Sequence, residues 1–438
     1  MQPNLSPDLR YMSQIPPRLR SVDSTDRAWR ILLGASLCMF CGQPAVILFT
    51  FGVFVPEIVA SSHWSPLIIA TAIVPGTVLS ALLAPFAGMW ADRVGVRTVA
   101  LIGGPAYALG FVLLGLIPRS GGGFVGYMIL TCALGFAATP VIYAQLITGW
   151  FSKRRGIALS VMFGCSSLGV AFWSPYSAML IVHFGWRLAY VIMGTTAGSI
   201  IFLSAVLLLA DAPRSIPGTT GKILTGMSLG EAVRTPIFWK IAIVFMLLTG
   251  VLGGASVNLP VILRHQAVPA QTAASIISVV GIAMFLGRVS VGFLLDRWFS
   301  PYVTAAFSLL PILGFALLLF DHSTICFFFA AALLGLGLGS ELNAGAYMVS
   351  RGFGVRAFGA IYGLITLAYG LCSAAGPGLV GAAIASSFNI NAIFVSAIAL
   401  LLPAVFLLCS LRSLDLPYGA RTPDAGVPLT SSADLDTT

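Results

Sequence analysis

Gly88-Met89-Trp90-Ala91-Asp92-Arg93-Val94-Gly95-Val96-Arg97 separates two long apolar runs, and Gly292-Phe293-Leu294-Leu295-Asp296-Arg297-Trp298 separates two others. The two Asp-Arg pairs, at Asp92 and Asp296, stand 204 residues apart. A second pair of polar loops keeps nearly the same spacing: Arg155 precedes Gly156, and Arg356 lies 201 residues beyond Arg155, just before Gly359. Two matching loops at one offset mean a duplicated unit. Parallel repeats with a binding site at their interface are a transporter architecture.

The runs around these loops set the solvent. Of 438 residues, 58% are hydrophobic and 8% charged, against about 25% charged in soluble domains. Lipid accepts that composition, provided every backbone N–H and C=O is satisfied within helices or a closed barrel. Apolar runs of about 20 residues fit helices, since a helix rising 1.5 Å per residue needs that length to cross. Twelve spans are predicted, at 30–58, 66–88, 98–117, 124–148, 157–182, 188–210, 237–262, 271–295, 302–320, 324–350, 357–384 and 389–411. The chain then divides into an N-terminal tail (1–28), a first six-helix bundle (29–210), a central loop (211–236), a second bundle (237–411) and a C-terminal tail (412–438).

Lys and Arg give the orientation. Nineteen of the 23 fall on the side of the tails and the Asp-Arg loops, three (Arg119, Arg187, Arg264) on the other side, and Arg288 lies inside a span. Basic residues gather in cytoplasmic loops, so both termini are expected in the cytoplasm. The formal charge of +9 is thereby a membrane-topology signal and implies no nucleic acid. The seven cysteines all fall in apolar runs, and Cys38-x-x-Cys41 has no second pair or histidine cluster. Packed thiols are expected, with no metal and no cofactor. Nor does Pro217-Gly-Thr-Thr-Gly221-Lys222-Ile223 make a phosphate loop, because no Ser or Thr follows the lysine.

The Gly-x-x-x-Asp-Arg-x-Gly-x-Arg loop, its echo two spans from the start of the second half and the twelve spans resemble the major facilitator superfamily, over about residues 28–412. The resemblance implies the major facilitator fold, an all-α membrane protein of two pseudo-symmetric six-helix bundles. Trp150-Phe151-Ser-Lys-Arg-Arg155-Gly156, Phe51-Gly-Val-Phe54 and Arg356-Ala-Phe-Gly359-Ala-Ile-Tyr362-Gly363 resemble the monocarboxylate porter and oxalate:formate antiporter families. On that footing Asp92, Arg93, Arg97, Asp296 and Arg297 are candidate gating residues. An aspartate there can meet a basic group or a helix N-terminus across the loop-bearing face in one state and part from it in the other. The plainer reading is topology, with arginines holding the loop inside and glycines permitting the turn.

Two ionisable residues lie deep in spans. Arg288 is eight residues before Asp296 and Glu341 ten before Arg351, roughly 12 and 15 Å inward. A charge at that depth costs at least about 2.5–3.5 kcal/mol on insertion scales, so it pairs, faces a wet cavity or functions. A guanidinium stays charged and presents a fork that matches carboxylate. Arg288 is therefore the expected substrate anchor, in a Gly287-Arg288-Val-Ser-Val-Gly292 segment that resembles span 8 of monocarboxylate porters. Those porters often carry an Asp one turn earlier, here Met284, and a Lys in span 1, near Phe49 and Thr50 here. Glu341 can exchange a proton where the arginine cannot, and is the candidate for both substrate contact and proton coupling. The structural alternative is an Arg288–Glu341 ion pair bracing the bundle.

Tyr143, Gln145, Asn258, Asn343, Tyr347 and Tyr369 are further substrate-binding candidates. Gln43 and Tyr362 are similar in kind, and each of the eight could instead bond a neighbouring helix. The expected function is alternating-access transport of a small organic anion, a monocarboxylate by resemblance, with proton symport as the default coupling. Anion exchange and transport of a larger neutral or aromatic solute are the alternatives. A membrane enzyme or sensor finds no nucleophile–base pair and no signalling domain. The expected setting is the plasma membrane, a bacterial inner membrane, with substrate and lipid as partners and a monomer as the working unit.

Overall fold

The computed structural model describes residues 26–62, 64–151, 154–211, 226–266, 268–321, 323–385 and 390–411. Both expected tails, save Asp26, Arg27 and Ala28, and most of the central loop lie outside these residues.

Eleven helical runs are long and apolar enough to cross a bilayer. One of them, Arg155–Leu207, has 53 residues, about 80 Å as a straight rod at 1.5 Å per residue, far beyond a hydrocarbon core of about 30 Å. Gly185 breaks it with φ 72° and ψ 164°, a conformation that glycine adopts without a Cβ clash. The run is thus a hairpin of two spans, and the described residues make twelve. In order they are span 1 (Asp26–Ser62), 2 (Pro66–Val94), 3 (Val96–Leu116), 4 (Gly121–Trp150), 5 and 6 (155–184 and 186–207). The second half has span 7 (Pro236–His265), 8 (Ala270–Leu295), 9 (Ser300–Phe320), 10 (Thr324–Gly352), 11 (Phe358–Ala385) and 12 (Ile390–Cys409). The twelve-span, all-helical expectation holds.

Two spans of the first half are discontinuous. Span 1 stops at Phe40 and resumes through a π turn at Pro44–Leu48, where proline withholds an N–H from the ladder. Span 4 passes through a 3₁₀ turn at Gly135–Ala138 before restarting at Pro140. The breaks meet: Gln43 Nε2 donates to the Cys132 carbonyl (3.2 Å) and to Ser80 Oγ (2.7 Å). A side chain thereby satisfies a carbonyl that lies in the last turn before the interruption. Cys38, Cys41 and Cys132 are buried free thiols, whereas Cys409 is exposed.

The last part of the central segment is tied down. Gly226 forms an isolated antiparallel bridge with Gly354, and the Met227 N–H donates to the Phe353 carbonyl at 2.9 Å. Ser228 and Glu231 then form a capping box that opens a short helix, Leu229–Val233. The Ser228 backbone N–H holds the Glu231 carboxyl below its usual range, with help from the Ser228 hydroxyl and Arg356.

The halves touch along two seams. Span 2 meets span 11 with Gly88 on Gly359 and Pro85 on Gly363, and span 5 meets span 8 with Gly156 on Gly292. At Gly88 an added Cβ would run into the Gly359 carbonyl, and at Gly156 into that of Gly292. Small residues let the backbones approach this closely.

Candidate functional site

Each loop aspartate caps a helix of the opposite half. Asp92 accepts from the N–H groups of Gly359 (3.3 Å) and Ala360 (2.9 Å), at the start of span 11. Asp296 accepts from the N–H groups of Gly156 (2.7 Å) and Ile157 (2.9 Å), at the start of span 5. The repeat is reciprocal: each half supplies one carboxylate and one helix N-terminus. Those N–H groups have no partner within their own helix, and the helix dipole favours an anion there. A helix N-terminus is thus a partner of each aspartate. Burial pushes the Asp296 carboxyl up, while the bonds from Ile157 and Gly156 and the nearby Arg351 and Arg155 pull it back.

The Arg97 guanidinium donates to the Ala205 and Val206 carbonyls (3.1 and 3.2 Å), and the Arg97 backbone N–H donates to Asp211. It closes the end of span 6 within its own half. Arg93 is exposed, as is Arg297, which lies over the Phe293 ring at 3.7 Å. Arg155, by contrast, crosses between halves, donating to Ser350 Oγ at 3.1 Å.

Farther in, Arg288 is 8% exposed. Its Nη1 donates to the Phe163 carbonyl and to Ser167 Oγ, both at 2.6 Å and both on span 5 of the first half. Its Nε has no partner. The ion pair with Glu341, the structural alternative, does not form: among the described residues no carboxylate oxygen lies within the 4.0 Å of an ion pair to Arg288. Glu341 is buried with Oε1 unpartnered, and it lines a crevice with Phe245, Tyr362, Thr366 and Tyr369. The crevice has room for roughly one water molecule. Tyr369 lies within electrostatic reach of both Arg288 and Glu341. Spans 8, 10 and 11 thus bring Arg288, Glu341, Tyr362 and Tyr369 together.

The other candidates have different surroundings. Asn343 is fully buried, and its Nδ2 donates to Ser160 Oγ (2.8 Å) and the Arg288 carbonyl (2.9 Å), joining span 10 to spans 8 and 5. Gln145 Nε2 donates to Asp92 at 2.6 Å, so it supports the cap. Tyr143 is fully buried in the first half, within reach of Cys38. Asn258 bonds the Gly254 carbonyl of its own span at 2.9 Å. The Tyr347 hydroxyl accepts from Arg351 (3.1 and 3.3 Å) at the end of span 10. Ser160 and Ser167 escaped the sequence reading. Their spacing of seven puts them on one face of span 5, which was the signal available.

The described hydrogen bonds between halves run from the Asp-Arg loops to Arg288 and Ser167, on the loop side of the bundle. The halves are joined there.

The sequence profile of the Major Facilitator Superfamily matches residues 32–377. The uncharacterised MFS-type transporter YhjX of Escherichia coli is 28% identical over 306 residues, 67% of this chain and 73% of that one. Monocarboxylate transporter 13 of Bos taurus is 24% identical over 277 residues, 62% of each chain. Among solved structures, the human organic anion transporter MFSD10 superposes with a TM-score of 0.67 at 16% identity, covering 90% of this chain and all of its own. At that identity the likeness concerns the fold alone. With a matched profile over most of its length, twelve spans and the same fold, the chain belongs to the Major Facilitator Superfamily, a family of transporters.

Proposed function

We propose that this transporter carries a small organic anion, with monocarboxylates as the leading class, by alternating access. The carrying observation is Arg288: a buried guanidinium about 12 Å from the loop-bearing face, with no carboxylate partner among the described residues and an unpartnered Nε. A fixed positive charge in apolar surroundings is costly unless an anion visits it. The similarity to a monocarboxylate transporter supports the same class.

Glu341, in the crevice beside Tyr362 and Tyr369, is the proton carrier in this reading, making the process a proton symport. The basic face is cytoplasmic. The two aspartate caps then form a cytoplasmic gate, and the conformation described here is closed to the inside. Entry from the outside brings the anion to Arg288; parting of the caps and seams releases it inward.

Purified protein in proteoliposomes under an inward proton gradient tests this. Labelled acetate, pyruvate and benzoate are the probes, with neutral solutes of similar size as controls. Carboxylate accumulation above that of empty liposomes supports the reading. Movement of the neutral solutes alone ends it.

A further inference from the structure

Arg288 belongs to the second half, yet both hydrogen bonds of its Nη1 go to the first half, to the Phe163 carbonyl and Ser167 Oγ at 2.6 Å. Both protons on that nitrogen are thereby used. The opposite edge of the guanidinium is in another condition. Nε is buried without a partner, and among the described residues the hydrogen bonds of the guanidinium are those of Nη1 alone. The Nε/Nη2 edge is the one that takes a carboxylate bidentately. One guanidinium therefore has one end pinned across the interface and its fork left available.

We infer that Ser167 is a positioning residue for the transported anion: with the Phe163 carbonyl it fixes the rotation of the Arg288 fork while the loop-bearing face is closed, and it lets go when that face opens. This rests on the reading of Arg288 as the anion anchor. A displacement of about 1–2 Å between spans 5 and 8 is enough to break bonds of this length. The guanidinium then regains its rotations, and an anion bound to it loses a pre-organised partner. Affinity becomes sided, with tighter binding from the face opposite the loops and weaker binding from the loop-bearing face. The sidedness comes from a hydroxyl that does not touch the anion. Asn343 supports the arrangement by holding the Arg288 carbonyl and Ser160 together, which keeps the backbone of span 8 registered against span 5.

Half-saturation for labelled pyruvate, measured from each face of uniformly oriented proteoliposomes, tests the inference in wild type, Ser167→Ala, Ser167→Thr and Arg288→Gln. Ser167→Ala is expected to raise half-saturation about five- to tenfold from the face opposite the loops and less than twofold from the loop-bearing face. Ser167→Thr, which keeps the hydroxyl, restores the wild-type ratio. Arg288→Gln loses saturable transport from both faces. Equal half-saturation in Ser167→Ala and wild type, with Arg288→Gln impaired, overturns the positioning role and leaves the anchor standing. Unimpaired pyruvate affinity in Arg288→Gln overturns the anchor and the positioning role together. So does a wild type that moves no carboxylate among acetate, pyruvate and benzoate.

Discussion

Removing the two aspartate caps, by Asp92→Ala and Asp296→Ala, is expected to shift the protein toward a state open on the loop-bearing face. Exchanging a capping side chain for alanine costs about 0.5–2 kcal/mol. Asp296 makes two bonds, at 2.7 and 2.9 Å. Burial of its carboxylate offsets part of that gain, so about 1 kcal/mol is assigned, a roughly fivefold change in population. Asp92 makes two backbone bonds and holds Gln145 as well, which places it at about 1–2 kcal/mol, or roughly five- to thirtyfold. The caps take their backbone bonds from different helices, so the double variant is expected near the sum, about 2–3 kcal/mol. Spin labels at the exposed Val94 and Trp298, with the native cysteines replaced, report the separation of the halves on that face. The long-distance population grows in the order Asp296→Ala, Asp92→Ala, double variant. Identical distance distributions in all four proteins would refute the capping argument.

Arg288→Gln removes a charged fork, and charge-assisted bonds are worth about 1.5–3 kcal/mol each, so carboxylate affinity falls at least tenfold; undiminished affinity counts against the anchor. Glu341→Gln keeps the shape and cannot exchange a proton, so the pH dependence of carboxylate uptake flattens, and an unchanged profile removes Glu341 from the proton path. Gly292→Val places a branched side chain against Ser160 and the Gly156 carbonyl; the same spin-label pair shows the loop-bearing face biased open, and a closed distribution would contradict the close seam. The Glu231 carboxyl sits below its usual range because Ser228 donates to it, so its contribution is present at neutral pH and lost as pH falls through that lowered value. Amide protection of Leu229–Val233, corrected for intrinsic exchange, declines on acidification; protection that ignores pH would exclude the capping box as its source.

The sequence and the structure agree where local chemistry decides. Spans follow from apolar length, and the reciprocal loops from a countable offset of 204 residues. The two aspartates stood out as candidates because a carboxylate beside Gly and Arg at a span end has few uses. Partners across the interface were not legible. Gln145 and Asn343 looked like solute ligands because an amide in a span needs a hydrogen bond, but which neighbour supplies it depends on helix packing. Asp92 answers Gln145, and Ser160 answers Asn343. For the same reason Arg288 meets a backbone carbonyl and Ser167, and not the Glu341 carboxylate of the structural alternative. The spacing of Ser160 and Ser167 puts them on one face of span 5, but spacing does not say whether a serine bonds across an interface or to its own helix, as Ser290 does.

The glycine seams at Gly88–Gly359 and Gly156–Gly292 have a mechanical consequence. Bare backbone has no long side chains that could stretch across a widening gap. Dispersion attraction loses about a quarter to a half of its depth over a gap of 0.5–1 Å, and the hydrogen bonds beside the seams fail over a similar distance. Half-opening therefore forfeits almost as much as opening fully. The seams behave as a latch and not as a spring: they store no restoring force, and they divide the motion into two settings with little between them.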